Sequence, residues 1–225
     1  MKQKVTGMVL MSAGIGEYDK RVVLLTKEEG RITAFARGAR RPKNHLSAVT
    51  EPMCFGSFYV YAGRDSYSID DASIDNYFPN LKNDLEKLYL GMYFLEVADY
   101  FTREGMRAAG ELELVYRSLL ALEKEVIPDE LVRRVYELRM MAISGYQPRY
   151  DTEKNVYTDD VGVWKISDST AYTVGQILTL PLGKLYSFTV SDRVQKELDK
   201  TVGAFLQRNA DKQFNTLKTL NSLQI

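Results

Sequence analysis

Between Arg31 and Lys43 the chain reads Arg-Ile-Thr-Ala-Phe-Ala-Arg-Gly-Ala-Arg-Arg-Pro-Lys, a spacing suited to one kind of chemistry, the neutralisation of a polyanion. Guanidinium and ammonium groups hold phosphate oxygens by charge-assisted hydrogen bonds, and an aromatic ring among them offers a surface for a base to stack on. Alternation through the first half puts Ile32, Ala34 and Ala36 on one side of a strand and Arg31, Thr33, Phe35 and Arg37 on the other. The second half breaks at Gly38, carries Arg40, Arg41 and Lys43 past the strand, and is kept extended by Pro42. A charged hairpin that faces only solvent has the same composition, so the stretch alone leaves both readings open.

The rest of the chain must supply a rigid frame for these cations. Its 225 residues are 45% hydrophobic, enough for one sizeable domain or two small ones with real cores. Thirty basic and thirty acidic side chains cancel, so any electrostatic footprint has to be local. It is local: from Lys20 to Lys43 there are eight basic side chains against two acidic ones. The single cysteine, Cys54, has no second cysteine to pair with and makes no zinc site alone, which fits a reducing compartment. With no apolar run of membrane-span length and no signal-like start, a soluble, cytoplasmic protein is expected.

The pattern predicts an α+β chain. Five short strands are expected over Val5–Met11, Lys20–Thr26, Arg31–Arg37, Cys54–Ala62 and Tyr67–Ile74, separated by turn residues, as in a small five-stranded barrel. An OB-fold reads this way, and periodicity alone does not separate it from an SH3-like barrel. From Pro79 the rhythm becomes helical. A first helix capped by Asn80 is expected to line up Leu81, Leu85, Leu88, Met92 and Leu95; a second covers Gly110–Lys124; a third starts after Pro128 and stops at Gly145. A small hairpin lobe follows over about 149–173, then a short helix over Val174–Leu180 and a last one from Asp192 to about Arg208 capped by Ser191. The domain division is placed at 1–79 and 80–225.

Catalysis has little to stand on. His45 is the one histidine, in a basic loop with no suitably spaced carboxylate or nucleophile. Gly14-Ile15-Gly16 is too short for a dinucleotide fingerprint, and no Walker lysine, Gly-x-Ser-x-Gly or His-Glu-x-x-His motif occurs. Asp70 and Asp71 are neighbours, expected on opposite faces of a strand and therefore not a working pair. Binding rather than turnover is indicated, with no catalytic residue, metal or cofactor assigned.

Lys4-Val5-Thr6-Gly7-Met8-Val9-Leu10, the Gly16-Glu17-Tyr18-Asp19-Lys20 turn, Gly30 to Lys43 and Glu51-Pro52 closely resemble the N-terminal domain of the RecO family of bacterial recombination mediators. The resemblance continues through Tyr136-Glu137-Leu138-Arg139 to Gly145-Tyr146-Gln147-Pro148, and more weakly to Thr216-Leu217-Lys218. It implies an OB-fold followed by a mostly helical domain, no enzymatic activity, and a bacterial, nucleoid-associated location. It also implies a role in DNA repair and recombination: binding single- and double-stranded DNA, annealing complementary strands, and acting with RecR to load RecA on DNA coated by the single-stranded-DNA-binding protein.

Carried over by motif, Arg31, Arg37, Arg40, Arg41 and Lys43 contact phosphates, with Lys20 and Arg21 on the neighbouring strand as weaker candidates. Phe35, Tyr59 and Tyr61 have two available jobs, stacking on bases or packing between barrel and helical domain. The family's helical domain also accepts the acidic, apolar C-terminal tail of the single-stranded-DNA-binding protein. The matching helix holds Arg133, Arg134 and Arg139, which either take that terminal carboxylate or pair with Glu130 and Glu137 on their own helix. Many relatives place two pairs of cysteines after the Gly-Tyr-x-Pro motif, a zinc-binding spacing. Arg149 to Thr173 has none, so no zinc is expected, and the lobe has to be held by packing of Tyr157, Val163 and Trp164. Two other readings stay available without the resemblance, a non-catalytic adaptor whose barrel binds protein and an RNA-binding module.

Overall fold

A computed structural model describes residues 2–64, 66–151, 156–159 and 162–223. Five strands, β1 (Lys2–Ile15), β2 (Asp19–Thr26), β3 (Gly30–Ala36), β4 (Phe55–Ala62) and β5 (Tyr67–Asn76), close a barrel in the order β1-β2-β3-β5-β4 and back to β1. A short helix, α1 (Leu46–Val49), lies between β3 and β4. All neighbours are antiparallel except β3 and β5, which run parallel where Ala34 meets Tyr67 and Phe35 meets Ser68. This strand order settles the barrel as an OB-fold.

β1 is long enough to serve two partners. Residues 2–8 pair with β4 and residues 7–15 with β2, and a bulge between Val9 and Met11 bends the strand from one to the other. Val5, Val9, Val22, Leu24, Ile32, Ala34, Phe58, Val60 and Ile69 fill the interior, joined by Leu46 from α1. The alternate residues Met8, Leu10, Val23 and Leu25 are buried as well, on the outside of the sheet.

Gly30 opens β3 at a point that no other residue fits. Its φ is +70°, and a Cβ there would stand 2.0 Å from the Met106 carbonyl oxygen and 2.8 Å from that of Arg103. The neighbouring Arg31 N–H donates to the Arg103 carbonyl at 3.2 Å, so the start of β3 is stitched to the segment after the first long helix beyond the barrel.

That helix, α2 (Leu85–Phe101), packs against β1. It is capped by Asp84, whose carboxylate accepts from the Lys87 N–H at 3.1 Å, and not by Asn80, which sits before a 3₁₀ turn at Leu81–Asn83 and makes no cap. Its buried residues are Leu90, Tyr93, Phe94, Leu95, Val97 and Ala98, while Leu85 is exposed. The stripe is thus rotated from the expected one. The sequence here is apolar nearly all round, so spacing gives the face poorly, and moving the cap from Asn80 to Asp84 shifts which residues begin the helix.

By contact, the chain divides into two units, Met1–Tyr116 with Thr216–Ile225, and Arg117–Asn215. Helices α3 (Ala109–Lys124) and α4 (Asp129–Ile143) stand where the spacing predicts them and bury Leu112, Val115, Leu119, Leu122, Leu131, Val135 and Leu138. The lobe is a three-stranded meander, β6 (Arg149–Asp151), β7 (Val156–Asp159) and β8 (Gly162–Trp164), rather than a hairpin. Tyr157 is buried there and donates to the Ala171 carbonyl at 3.2 Å; the side chains of Val163 and Trp164 lie outside the described residues.

α5 (Asp168–Thr179) begins six residues earlier than expected, because the Ser167 hydroxyl accepts the Thr170 N–H and starts the helix inside a Ser/Thr-rich stretch of low helix propensity. α6 (Asp192–Asn209) is capped by Ser191 as expected, and α7 (Asn215–Leu223) is an added helix.

Candidate nucleic-acid interface

The turn between β1 and β2 and the loop leaving β3 lie side by side and are tied by backbone groups. Asp19 accepts the Gly38 N–H at 2.7 Å, the Tyr18 carbonyl accepts the Arg40 N–H at 2.8 Å, and the Gly16 carbonyl accepts from Arg40 Nη1 at 3.1 Å. Gly38 has φ +67°, the left-handed conformation that turns the chain out of the strand. Lys43 follows Pro42 at φ +63°, an uncommon conformation for a residue with a side chain. Ala39 is buried between them and anchors the loop. The loop is therefore placed by the fold.

Arg21, Arg37, Arg40, Arg41 and Lys43 are exposed at this end of the barrel. Arg21, Arg37 and Lys43 form no ion pair with a described residue. Arg40 spends one of its five donors on Gly16, and the Arg41 guanidinium lies 4.8 Å above the Tyr18 ring. Arg21 and Phe35 are direct cross-strand neighbours on the outer face of β2 and β3, with Phe35 half-buried. Tyr18 is the residue that spacing missed. It stood in the turn motif without a role, and its signal is an aromatic between two glycine-bounded strands opposite an arginine loop.

Two other predicted cations have internal partners. Lys20 keeps only 12% of its side chain exposed, with Nζ bonded to the Glu51 carboxylate at 2.6 Å and the Ser47 carbonyl at 2.9 Å. Arg31 pairs with Asp99 of α2 at 3.1 Å. Tyr59 and Tyr61 belong to a separate surface. Lys2 stands 5.4 Å and 5.9 Å from their ring centres, and it is tied to Asp70 at 2.6 Å, a contact that raises the Lys2 pKa. Asp70 is the extra residue of a bulge opposite Tyr59 and Val60, so both Asp70 and Asp71 are exposed, against the strict alternation expected of a plain strand. Asp71 lies 3.6 Å from exposed His45.

In the second unit, Arg133, Arg134 and Arg139 are brought onto α4 but turned to internal partners. Glu137, fully buried, accepts from Arg133 Nε at 2.9 Å and from Arg134 Nη1 at 2.7 Å, and Arg134 Nε reaches Asp199 at 2.8 Å. Burial opposes the Arg134 charge, but the two carboxylates outweigh it and raise its pKa. Arg139 donates to the carbonyls of Ile177, Leu178 and Leu180 and so caps the C-terminal end of α5. Glu137 thus serves Arg133 and Arg134, while Arg139 serves the backbone of α5.

Among the described residues, no group of three or more His, Cys, Asp or Glu could hold a metal ion, and no helix is long and apolar enough to cross a membrane. Cys54 is buried in the barrel, which pushes its thiol pKa up. Arg149 to Thr173 contains no cysteine, so that segment lacks the four-cysteine donor set that a zinc site of the expected kind needs.

Residues 1–78 match the family described as Recombination protein O N terminal, and residues 82–218 match Recombination protein O C terminal. The DNA repair protein RecO of Acetivibrio thermocellus is 28% identical over 242 residues, covering 98% of this chain and 96% of the relative. That of Alkaliphilus metalliredigens is 32% identical over 164 residues, covering 73% and 67%. That of Clostridium kluyveri is 23% identical over 240 residues, covering 98% and 93%. The OB barrel, the helices after it and these matches along nearly the whole chain agree: it belongs to the RecO family of DNA repair and recombination proteins.

Proposed function

We propose that the chain is a non-catalytic DNA-binding mediator of recombinational repair. Its barrel grips single- and double-stranded DNA by the phosphates, brings complementary strands together, and works with RecR to load RecA where the single-stranded-DNA-binding protein coats the strand. The observation that carries this reading is the set of exposed cations at one end of an OB barrel, Arg21 on β2 and Arg37, Arg40, Arg41 and Lys43 on a loop fixed by Asp19 and Tyr18. Strands 2 and 3 with the loop between strands 1 and 2 are a usual oligonucleotide-binding face of this fold. Lys20, opposite Ala36 at the loop end of β3, is committed to Glu51 and Ser47, whereas Arg31 sits opposite Leu25 at the other end of β3, paired with Asp99 and apart from the loop. Docking of the acidic tail of the single-stranded-DNA-binding protein on the helical unit rests on the family resemblance.

Titrating labelled single-stranded DNA, duplex DNA and RNA with the full chain over a range of salt tests the reading. DNA affinity that falls steeply with salt is the expected result. Preference for RNA points instead to an RNA-binding module, and absence of binding to all three points to a protein adaptor.

A further inference from the structure

The outer face of β1, β2 and β3 carries more than cations. The ladder sets Ala13, Arg21 and Phe35 side by side across three strands, with Met11, Val23 and Thr33 as the next row. Val22, Leu24, Ile32 and Ala34 fill the barrel, so these rows project outward by alternation. Met11, Ile15 and Tyr18 keep 42%, 43% and 40% of their surface in water, and Arg21, Arg40 and Arg41 at the same end of the barrel form no ion pair with a described residue. An apolar strip bordered by positive charge complements a ligand with flat apolar faces on an anionic backbone.

Tyr18 is the best-placed member of that strip. Its own carbonyl is held by the Arg40 N–H and the next residue by the Gly38 N–H, so the ring is positioned by backbone bonds. Its hydroxyl is bonded to Glu17, a contact that raises its pKa above the ordinary phenol value. One face of the ring lies under the Arg41 guanidinium at 4.8 Å. A duplex buries its base faces against one another and offers an exposed ring nothing but phosphates and groove edges, whereas an unpaired strand offers the faces themselves.

We propose that Tyr18, paired with Arg41, is a stacking site for an unpaired base of single-stranded DNA, and that this site rather than the phosphate rim lets the barrel distinguish single strand from duplex. On binding, the base takes the Tyr18 face and Arg41 turns to the adjoining phosphate. The site rests on the reading that this rim binds DNA.

The test compares Tyr18→Ala and Tyr18→Phe in the full chain, titrated against a labelled oligothymidine and a duplex of equal length. Tyr18→Ala should lower single-strand affinity about tenfold, the scale of one lost base stack, while duplex affinity stays within about twofold. The salt slope should not change, since no phosphate contact is removed, and Tyr18→Phe should behave as the parent. Equal losses on both DNAs, or none on either, overturn the stacking site. If the parent binds neither DNA, the reading of the rim falls and takes this site with it; if the parent binds and only the Tyr18 effect is missing, the rim stands and the stacking site alone falls.

Discussion

The Asp19 carboxylate accepts the Gly38 backbone N–H at 2.7 Å, so the first residue of β2 sets where the chain leaves β3 and enters the basic loop. Replacing Asp19 with alanine strands that N–H at a partly buried site. A loss of about 1–2 kcal/mol is expected in urea unfolding, with a smaller loss for Asp19→Asn, which keeps an acceptor oxygen. Equal stability of Asp19→Ala and parent would mean that the loop is not held by this bond.

Gly30→Ala should be far more damaging than its size suggests. A methyl group at φ +70°, 2.0 Å from the Met106 carbonyl oxygen, forces apart the β3 start and the segment after α2. A loss of more than about 2 kcal/mol is expected by denaturant unfolding. A loss below about 1 kcal/mol would show that this junction is not tightly packed.

The barrel was legible in the sequence because its strands alternate cleanly and its turns carry glycine, and all five expected strands lie within one or a few residues of their places. The face of α2 was not legible, since Tyr89 to Phe101 is apolar on almost every side and contacts with β1 choose which side is buried. The onset of α5 was hidden by Ser, Thr and Tyr, residues whose helical state depends on the Ser167 cap and on packing rather than on propensity. At the candidate site, the sequence placed the cations together but did not give their internal commitments. That Lys20 turns to Glu51 and Arg31 to Asp99 depends on residues far away in the chain, and so does the pairing of Tyr18 with Arg41.

Glu137→Ala removes a carboxylate that Arg133 and Arg134 share. Because Arg134 is left largely buried with Asp199 as its one remaining carboxylate among the described residues, a loss of about 3–5 kcal/mol is expected. Arg133→Ala should cost clearly less, since Arg134 still neutralises Glu137. Thermal or urea unfolding of the full chain checks the order, and a mild Glu137→Ala effect would contradict it.

Acid should loosen the second unit through Glu197. Its carboxylate accepts the Ser167 N–H and hydroxyl, both at 2.8 Å, which holds its pKa down to about 2 from an ordinary value of 4.5. A carboxyl held down in the folded state stabilises above its unfolded pKa, and that contribution is lost as pH falls from about 4.5 through about 2. Glu197 is partly exposed, so solvent weakens the effect. Glu197→Gln should therefore narrow the stability difference between pH 5 and pH 2.5. An unchanged pH profile would contradict the assignment.

If the exposed cations at one end of the barrel neutralise DNA phosphates, the slope of log affinity against log salt reports how many of them do so. Replacing Arg37, Arg40 and Arg41 together with alanine should reduce that slope by about 2–3, close to one released counterion per lost contact, and weaken binding at every salt concentration. Arg31→Ala, whose guanidinium already serves Asp99, should leave the slope near that of the parent. A triple variant with the parent's slope and affinity would mean that these three arginines do not hold DNA phosphates.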